Sequence, residues 1–102
     1  MEIKEAQKQS FEILEKINNK YSVNHDPNLI FLSLIEEIGE VARELSKKQK
    51  NTKREDFNKE ELADELSDIL SRTFVIAEDN NIDMDKAFTD KLNKIKHKFN
   101  IK

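Results

Sequence analysis

Residues 34–41 read Leu34-Ile35-Glu36-Glu37-Ile38-Gly39-Glu40-Val41, and the same pattern of residue types returns 28 positions later as Leu62-Ala63-Asp64-Glu65-Leu66-Ser67-Asp68-Ile69. On a helix with about 100° per residue, the apolar positions of each copy form one seam, and two acids flank that seam on one side. If the two helices pack antiparallel on their seams, both acidic stripes fall on the same side of the pair. The repeat therefore predicts an antiparallel helix pair with four converging carboxylates, Glu37, Glu40, Glu65 and Asp68.

The repeat also predicts which apolar side chains pack between the two helices. The only glycine of the chain, Gly39, lies inside the first copy, where it costs roughly 1 kcal/mol relative to Ala. Its counterpart in the second copy, Ser67, is also small, so we expect another helix to approach closely on that side. The predicted seam consists of Leu34, Ile38, Val41 and Leu45 on the first helix and Leu62, Leu66 and Ile69 on the second.

Composition points to a small all-α domain. The chain has 102 residues, of which 36% are hydrophobic and 38% charged, with one glycine and one proline, so the turns of an all-β fold are missing. We predict a single domain over residues 1–102 with thin apolar seams, completed by burial against a second subunit. No apolar run reaches the length of a membrane span, and no signal peptide is evident, so we expect a cytoplasmic protein. The net charge of -3 gives no indication of a nucleic acid partner.

Four helices are expected along the chain, with no strand. The first runs from Ile3 to about Tyr21, and the second begins at Asp26-Pro27, a favourable cap and first-turn pair. The polar residues 49–58 are long enough to reverse the chain direction between the second and third helices. The second helix ends at about Lys48, the third is capped by Asn58 and ends at about Glu78, and the fourth is capped by Asp83 and carries apolar residues as far as Phe99.

The clustered acids indicate a site for a hard metal ion. A Glu-rich helical face is usually only solvated, but such faces normally place Lys or Arg four residues from the acids. Here Glu36 and Glu40, and Asp64 and Asp68, are like-charged pairs at that spacing. Oxygen ligands favour Mg²⁺, with Mn²⁺ as an alternative. A di-iron site is not indicated, because neither histidine belongs to a Glu-x-x-His motif.

The last helix carries lysines that are candidates for binding phosphates. A Mg²⁺ ion held by few carboxylates usually completes its coordination with water and substrate phosphates. Lysines at a helix carboxyl end also interact favourably with the helix dipole, so their presence alone does not establish a phosphate site. The candidates are Lys91, Lys94 and Lys98.

The doubled acidic motif resembles a known signature. The acids at positions 36, 37 and 40, followed by Glu65 and Asp68, resemble the EExxE … ExxD signature of the MazG-like all-α nucleoside triphosphate pyrophosphohydrolases. The resemblance covers about residues 25–100. It extends to Pro27 before the first motif, Ile82-Asp83 before the last helix, and Lys91 and Lys98-Phe99, which resemble the ending of the dCTP-pyrophosphatase branch.

The resemblance implies cleavage of a nucleoside triphosphate between the α and β phosphates, giving the monophosphate and pyrophosphate. It implies a four-helix bundle that assembles as a homodimer or homotetramer, with Glu37, Glu40, Glu65 and Asp68 as metal ligands. Glu36 is then the candidate for orienting or deprotonating the attacking water. Ile95 and Leu29 depart from asparagines of the dCTP branch, and tryptophan is absent, so base preference is not carried over. The alternative function is a non-enzymatic helical oligomerisation or partner-binding module.

Overall fold

A computed structural model describes residues 1–49 and 57–102. These residues form four α-helices and no strand, which confirms the expected all-α class. The predicted helix ends are reproduced to within one or two residues, while residues 50–56 of the predicted connection lie outside the described part of the chain. The helices are α1 (Ile3–Lys20), α2 (Pro27–Gln49), α3 (Lys59–Asp79) and α4 (Met84–Lys98).

Three helices begin at the side-chain caps that the sequence predicts. The Asp26 carboxylate accepts an amide hydrogen bond from the first turn of α2 at 3.0 Å, and Asp83 does the same for α4 at 3.2 Å. The Asn58 side chain accepts two amide hydrogen bonds at the start of α3, at 2.9 and 3.1 Å. These bonds satisfy amides that have no partner inside the helix, which fixes where each helix starts.

The largest helix–helix contact joins α2 and α3, and the two helices run antiparallel. Near the end of α2, the Glu44 carboxylate accepts a hydrogen bond from the Asn58 amide, before the first turn of α3, at 2.6 Å. Towards the other end of the pair, the Arg72 guanidinium of α3 donates to the Ser33 hydroxyl of α2. The end of one helix therefore meets the start of the other, as the repeat predicts.

A buried glutamine joins α1 to the region between α3 and α4. Gln7 is 5% exposed, and its amide nitrogen donates to Glu78 at 3.0 Å and to the Ile82 carbonyl at 2.7 Å. Its amide oxygen accepts from the Met84 backbone at 3.0 Å. Because all of these groups are paired through one side chain, α1 fixes the point at which the chain turns from α3 into α4.

The predicted apolar seam of α2 and α3 is partly wrong. Ile38, Leu45 and Leu66 are 51%, 41% and 46% exposed, so they are not buried between the two helices. The buried and half-buried side of α2 instead follows a stripe with a spacing of three and four residues, which includes one acid of the repeat, Glu37, and one acid beyond it, Glu44. That stripe consists of Ile30, Leu34, Glu37, Val41 and Glu44.

A large apolar surface faces outward on the single chain. Among the described hydrophobic residues, only Val75 and Ala77 are buried. Several large apolar side chains of α2 are about half exposed, and four of them form what we call the α2 apolar stripe, namely Phe31, Leu32, Ile35 and Ile38. A Cβ added at Gly39, beside this stripe, meets no atom within 4 Å. The expected close approach of another helix to Gly39 therefore does not occur among residues 1–49 and 57–102.

Candidate functional site

The antiparallel pair encloses an acidic cavity of about 320 Å³ between α2 and α3. Both copies of the repeat contribute to it, because the half-buried face of each helix carries acids toward the other. All four predicted metal ligands are therefore brought to one cavity. Among the described residues, the lining consists of Glu37, Glu40, Arg43, Glu44, Lys47, Glu61, Asp64, Glu65 and Asp68.

Two of these carboxylates have a buried oxygen without a hydrogen-bond partner. They are Glu37 Oε2 on α2 and Glu65 Oε2 on α3. An ionised oxygen that is removed from water and left unpaired is strongly unfavourable, so buried charges in proteins are paired or coordinate metals. The two side chains line one cavity from opposite helices, and this arrangement is suited to an oxygen-binding cation.

Burial and repulsion from neighbouring acids raise the pKa of the same two carboxyl groups. Burial, followed by the charge of Glu40, raises the pKa of Glu37 above its usual value of 4.5, although the Arg72 charge opposes the shift. Burial also raises the pKa of Glu65, again with the Glu40 charge as the next cause. Glu40 therefore couples a carboxylate of α2 to one of α3. A divalent cation bound between these carboxylates would offset the loss of water and neutralise the repulsion from Glu40. Both pKa values would then fall.

The donor set fits a hard cation, although the side chains do not close around one point. Within residues 1–49 and 57–102, no three acidic or histidine side chains converge closely enough to hold one metal ion as they stand. The lining is rich in carboxylate oxygens, without histidine or cysteine, and this chemistry suits Mg²⁺ rather than zinc. Glu37, Glu40, Glu65 and Asp68 are the residues that would hold such an ion.

Two residues of the site have roles that the sequence analysis missed. Glu44 is 3% exposed, and hydrogen bonds from the Lys47 ammonium and the Asn58 amide lower its pKa. It is thus a structural carboxylate within the acidic cavity. Arg72 contacts Glu37 and Asp68 at charge-pair distances of 3.9 and 3.5 Å. The spacing of four residues between Asp68 and Arg72 is the signal that could have found this arginine.

The other predicted site residues lie elsewhere on the chain. Glu36 is exposed and is not among the described residues that line the acidic cavity. On α4, Lys94 and Lys98 line a separate cleft of about 470 Å³, and Lys91 is exposed. Within the described part of the chain, the cations that line the acidic cavity itself are Arg43 and Lys47 of α2. Lys47 pairs with Glu44 at 2.9 Å.

Comparison with known proteins identifies the family. A family profile described as the MazG nucleotide pyrophosphohydrolase domain matches residues 25–100, which contain α2, α3, α4 and every acid of the cavity. The chain belongs to the MazG family. The comparisons with curated proteins and with solved structures give no significant match. Helix α1 of this MazG protein lies outside the matched span, and no described helix is long and apolar enough to cross a membrane.

The raised carboxyl pKa values predict how stability depends on pH. Since the folded MazG domain holds protons on Glu37 and Glu65 more tightly than the unfolded chain does, metal-free stability falls as the pH rises from about 4.5 through the raised values. We expect the melting temperature in chelator to differ between about pH 4.5 and about pH 7.5, with the lower value at the higher pH, measured by thermal unfolding. The double variant Glu37→Gln, Glu65→Gln should show a smaller difference. An unchanged difference would contradict the assignment to these two groups.

Proposed function

We propose that this MazG domain hydrolyses a nucleoside triphosphate between the α and β phosphates, releasing the monophosphate and pyrophosphate in a Mg²⁺-dependent reaction. The observation that carries the proposal is the pair of unpartnered, buried oxygens of Glu37 and Glu65 in one acidic cavity. Members of the family generally use Mg²⁺. The membership supports nucleotide pyrophosphohydrolase chemistry, and the cavity supplies the oxygen ligands that such chemistry needs.

The residues of the chain have distinct tasks in the proposed reaction. A bound Mg²⁺ ion would neutralise charge at the phosphates and would lower the pKa of the attacking water. Glu37, Glu40, Glu65 and Asp68 would hold the ion from the two facing helices. Glu36 remains the proposed group for orienting or deprotonating the attacking water.

Positively charged side chains are needed to balance the negative charge of the β and γ phosphates. Arg43 and Lys47 line the acidic cavity and are placed to contact the phosphates of a substrate bound there. Lys91, Lys94 and Lys98 stay proposed phosphate ligands, although α4 places Lys94 and Lys98 at another cleft of the single chain. A positive group that meets charge developing on the phosphates stabilises the transition state.

We also propose that the domain, residues 1–102, functions in the cytoplasm as a homodimer or homotetramer. The accessible surface of the chain is 8456 Å², whereas a compact monomer of 12.0 kDa exposes about 6,000 Å². The excess is within the range that obligate interfaces bury. The α2 apolar stripe supplies the kind of surface such an interface needs, and Gly39 beside it leaves room for a close approach.

The products of hydrolysis test the proposed function directly. We expect monophosphate and pyrophosphate in equal amounts from a mixture of nucleoside triphosphates with millimolar Mg²⁺, and loss of both in chelator. Separation of nucleotides by ion exchange, combined with a pyrophosphate assay, measures the two products. Release of orthophosphate and diphosphate would contradict cleavage between the α and β phosphates, and the absence of any hydrolysis would favour the oligomerisation module.

A further inference from the structure

We propose that Arg72 is a positioning residue that holds Glu37 and Asp68 in the orientation required for metal binding. The inference rests on the proposed function, because it concerns the same acidic cavity. Arg72 lies on α3, one turn beyond Asp68, and its guanidinium reaches across to α2. It is thus placed to act on one carboxylate of each copy of the repeat.

The guanidinium is itself fixed by two hydrogen bonds. Its Nε donates to the Ser33 hydroxyl of α2, and its Nη1 donates to the Asp68 backbone carbonyl at 3.3 Å. These partners belong to the two facing helices, so the arginine plane cannot rotate freely. A planar fork of donors that is fixed in this way can orient two carboxylates at once, whereas a lysine ammonium offers only a point charge.

The fixed guanidinium faces one oxygen of each carboxylate. Nη2 lies 3.9 Å from Glu37 Oε1, and Nη1 lies 3.5 Å from Asp68 Oδ1. The other oxygen of Glu37, Oε2, is the buried atom without a partner. Arg72 therefore attracts one Glu37 oxygen and leaves the second available for a cation.

The environment on the far side of Arg72 offers no competing acid. There the side chain lines a second cavity of about 330 Å³, between α1, α2 and α3. The described residues around it are apolar or hydroxyl-bearing, and none is acidic. The acids that Arg72 contacts among the described residues, Glu37 and Asp68, both line the acidic cavity, and its charge opposes the rise in the pKa of Glu37.

Positioning and simple charge compensation predict opposite effects on metal affinity. If Arg72 only neutralised the acids, its removal would leave the negative charge of Glu37 and Asp68 uncompensated. Mg²⁺ binding would then become stronger. If it orients Glu37 and Asp68, its removal weakens binding, because groups that orient metal ligands typically contribute 10- to 100-fold in affinity. The sign of the change distinguishes the two roles.

The test is titration calorimetry with Mg²⁺ alone on the full chain. We expect the dissociation constant to rise by about 10- to 100-fold in Arg72→Gln, with partial recovery in Arg72→Lys, which restores the charge without the planar fork. Ser33→Ala keeps the arginine and removes one anchor, so it should weaken binding by a smaller factor. This second variant also keeps the inference testable if Arg72→Gln fails to fold.

A matched control separates positioning from general loss of stability. Gln7→Ala removes the buried link between α1 and the α3–α4 turn, away from the acids, and should lower the melting temperature without changing Mg²⁺ affinity. Equal or tighter Mg²⁺ binding by Arg72→Gln and Ser33→Ala would overturn the role of Arg72 and leave the proposed function standing. If the wild-type chain bound no Mg²⁺, the metal site and this inference would fall together.

Discussion

Replacement of Glu37 by Gln is expected to reduce hydrolysis by about 100-fold or more, because it removes one proposed ligand of an ion that contributes several kcal/mol to transition-state stabilisation. The same variant should be as stable as the wild type, or more stable, in chelator. Glu37 is half-buried beside Glu40 and Asp68, and burial and these neighbouring charges disfavour its ionised form when no cation is bound. Loss of activity combined with a gain in metal-free stability is the signature of a functional carboxylate.

Thermal unfolding with chelator and with millimolar Mg²⁺ measures the stability part of this prediction. Mg²⁺ should raise the melting temperature of the wild type, since it binds only the folded site, and should raise that of Glu37→Gln less. Glu12→Gln provides a matched control, because it makes the same change of charge at an exposed position of α1. Equal Mg²⁺ shifts in all three proteins would contradict a metal site at Glu37.

Introduction of a charge into the α2 apolar stripe is expected to dissociate the proposed oligomer. Ile35 is 49% exposed on the single chain, so an interface that covers the stripe buries its remaining surface. Ile35→Asp would bury an unpaired carboxylate there, and in a two-fold symmetric dimer it would do so twice. We expect the dissociation constant of the dimer to rise by at least about 100-fold, equivalent to about 2.8 kcal/mol.

Light scattering at micromolar concentration, combined with thermal unfolding, measures this effect. The wild type should be a dimer or larger, and Ile35→Asp should be a less stable monomer. Val23→Asp is the control, because Val23 is 50% exposed in the segment between α1 and α2, away from the stripe. A folded and active wild-type monomer would contradict the assembly, and equal dissociation by both variants would contradict the stripe as its interface.

Local features of the structure were predictable from the sequence. The caps Asp26, Asn58 and Asp83 act on amides within three residues of themselves, so their effect does not depend on distant packing. The antiparallel arrangement of α2 and α3 was also predictable, because only this direction brings both acidic stripes to one side. The family followed from the spacing of the acids, which the match over residues 25–100 confirms.

The rotation of each helix about its axis was not predictable in the same way. The sequence places Ile38 and Leu34 on one apolar seam, but contact with α3 turns the face of Leu34, Glu37 and Val41 inward and leaves Ile38 exposed. An apolar side chain satisfies the pattern equally well whether it packs within the chain or against a second copy. The role of Arg72 depends on the same rotation, since its partners Ser33 and Glu37 are more than thirty residues away in sequence.

The hydrogen bond between the Glu44 carboxylate and the Asn58 amide has a consequence for how the family can vary. The bond ties the last turns of α2 to the start of α3, so it sets the relative register of the two acidic motifs by a direct contact between the helices. Changes in the length of the connection between Glu44 and Asn58 add little free energy, because loop closure depends only weakly on length. Insertions and deletions in that connection can therefore accumulate during evolution while Glu40 and Glu65 keep their places on either side of the cavity.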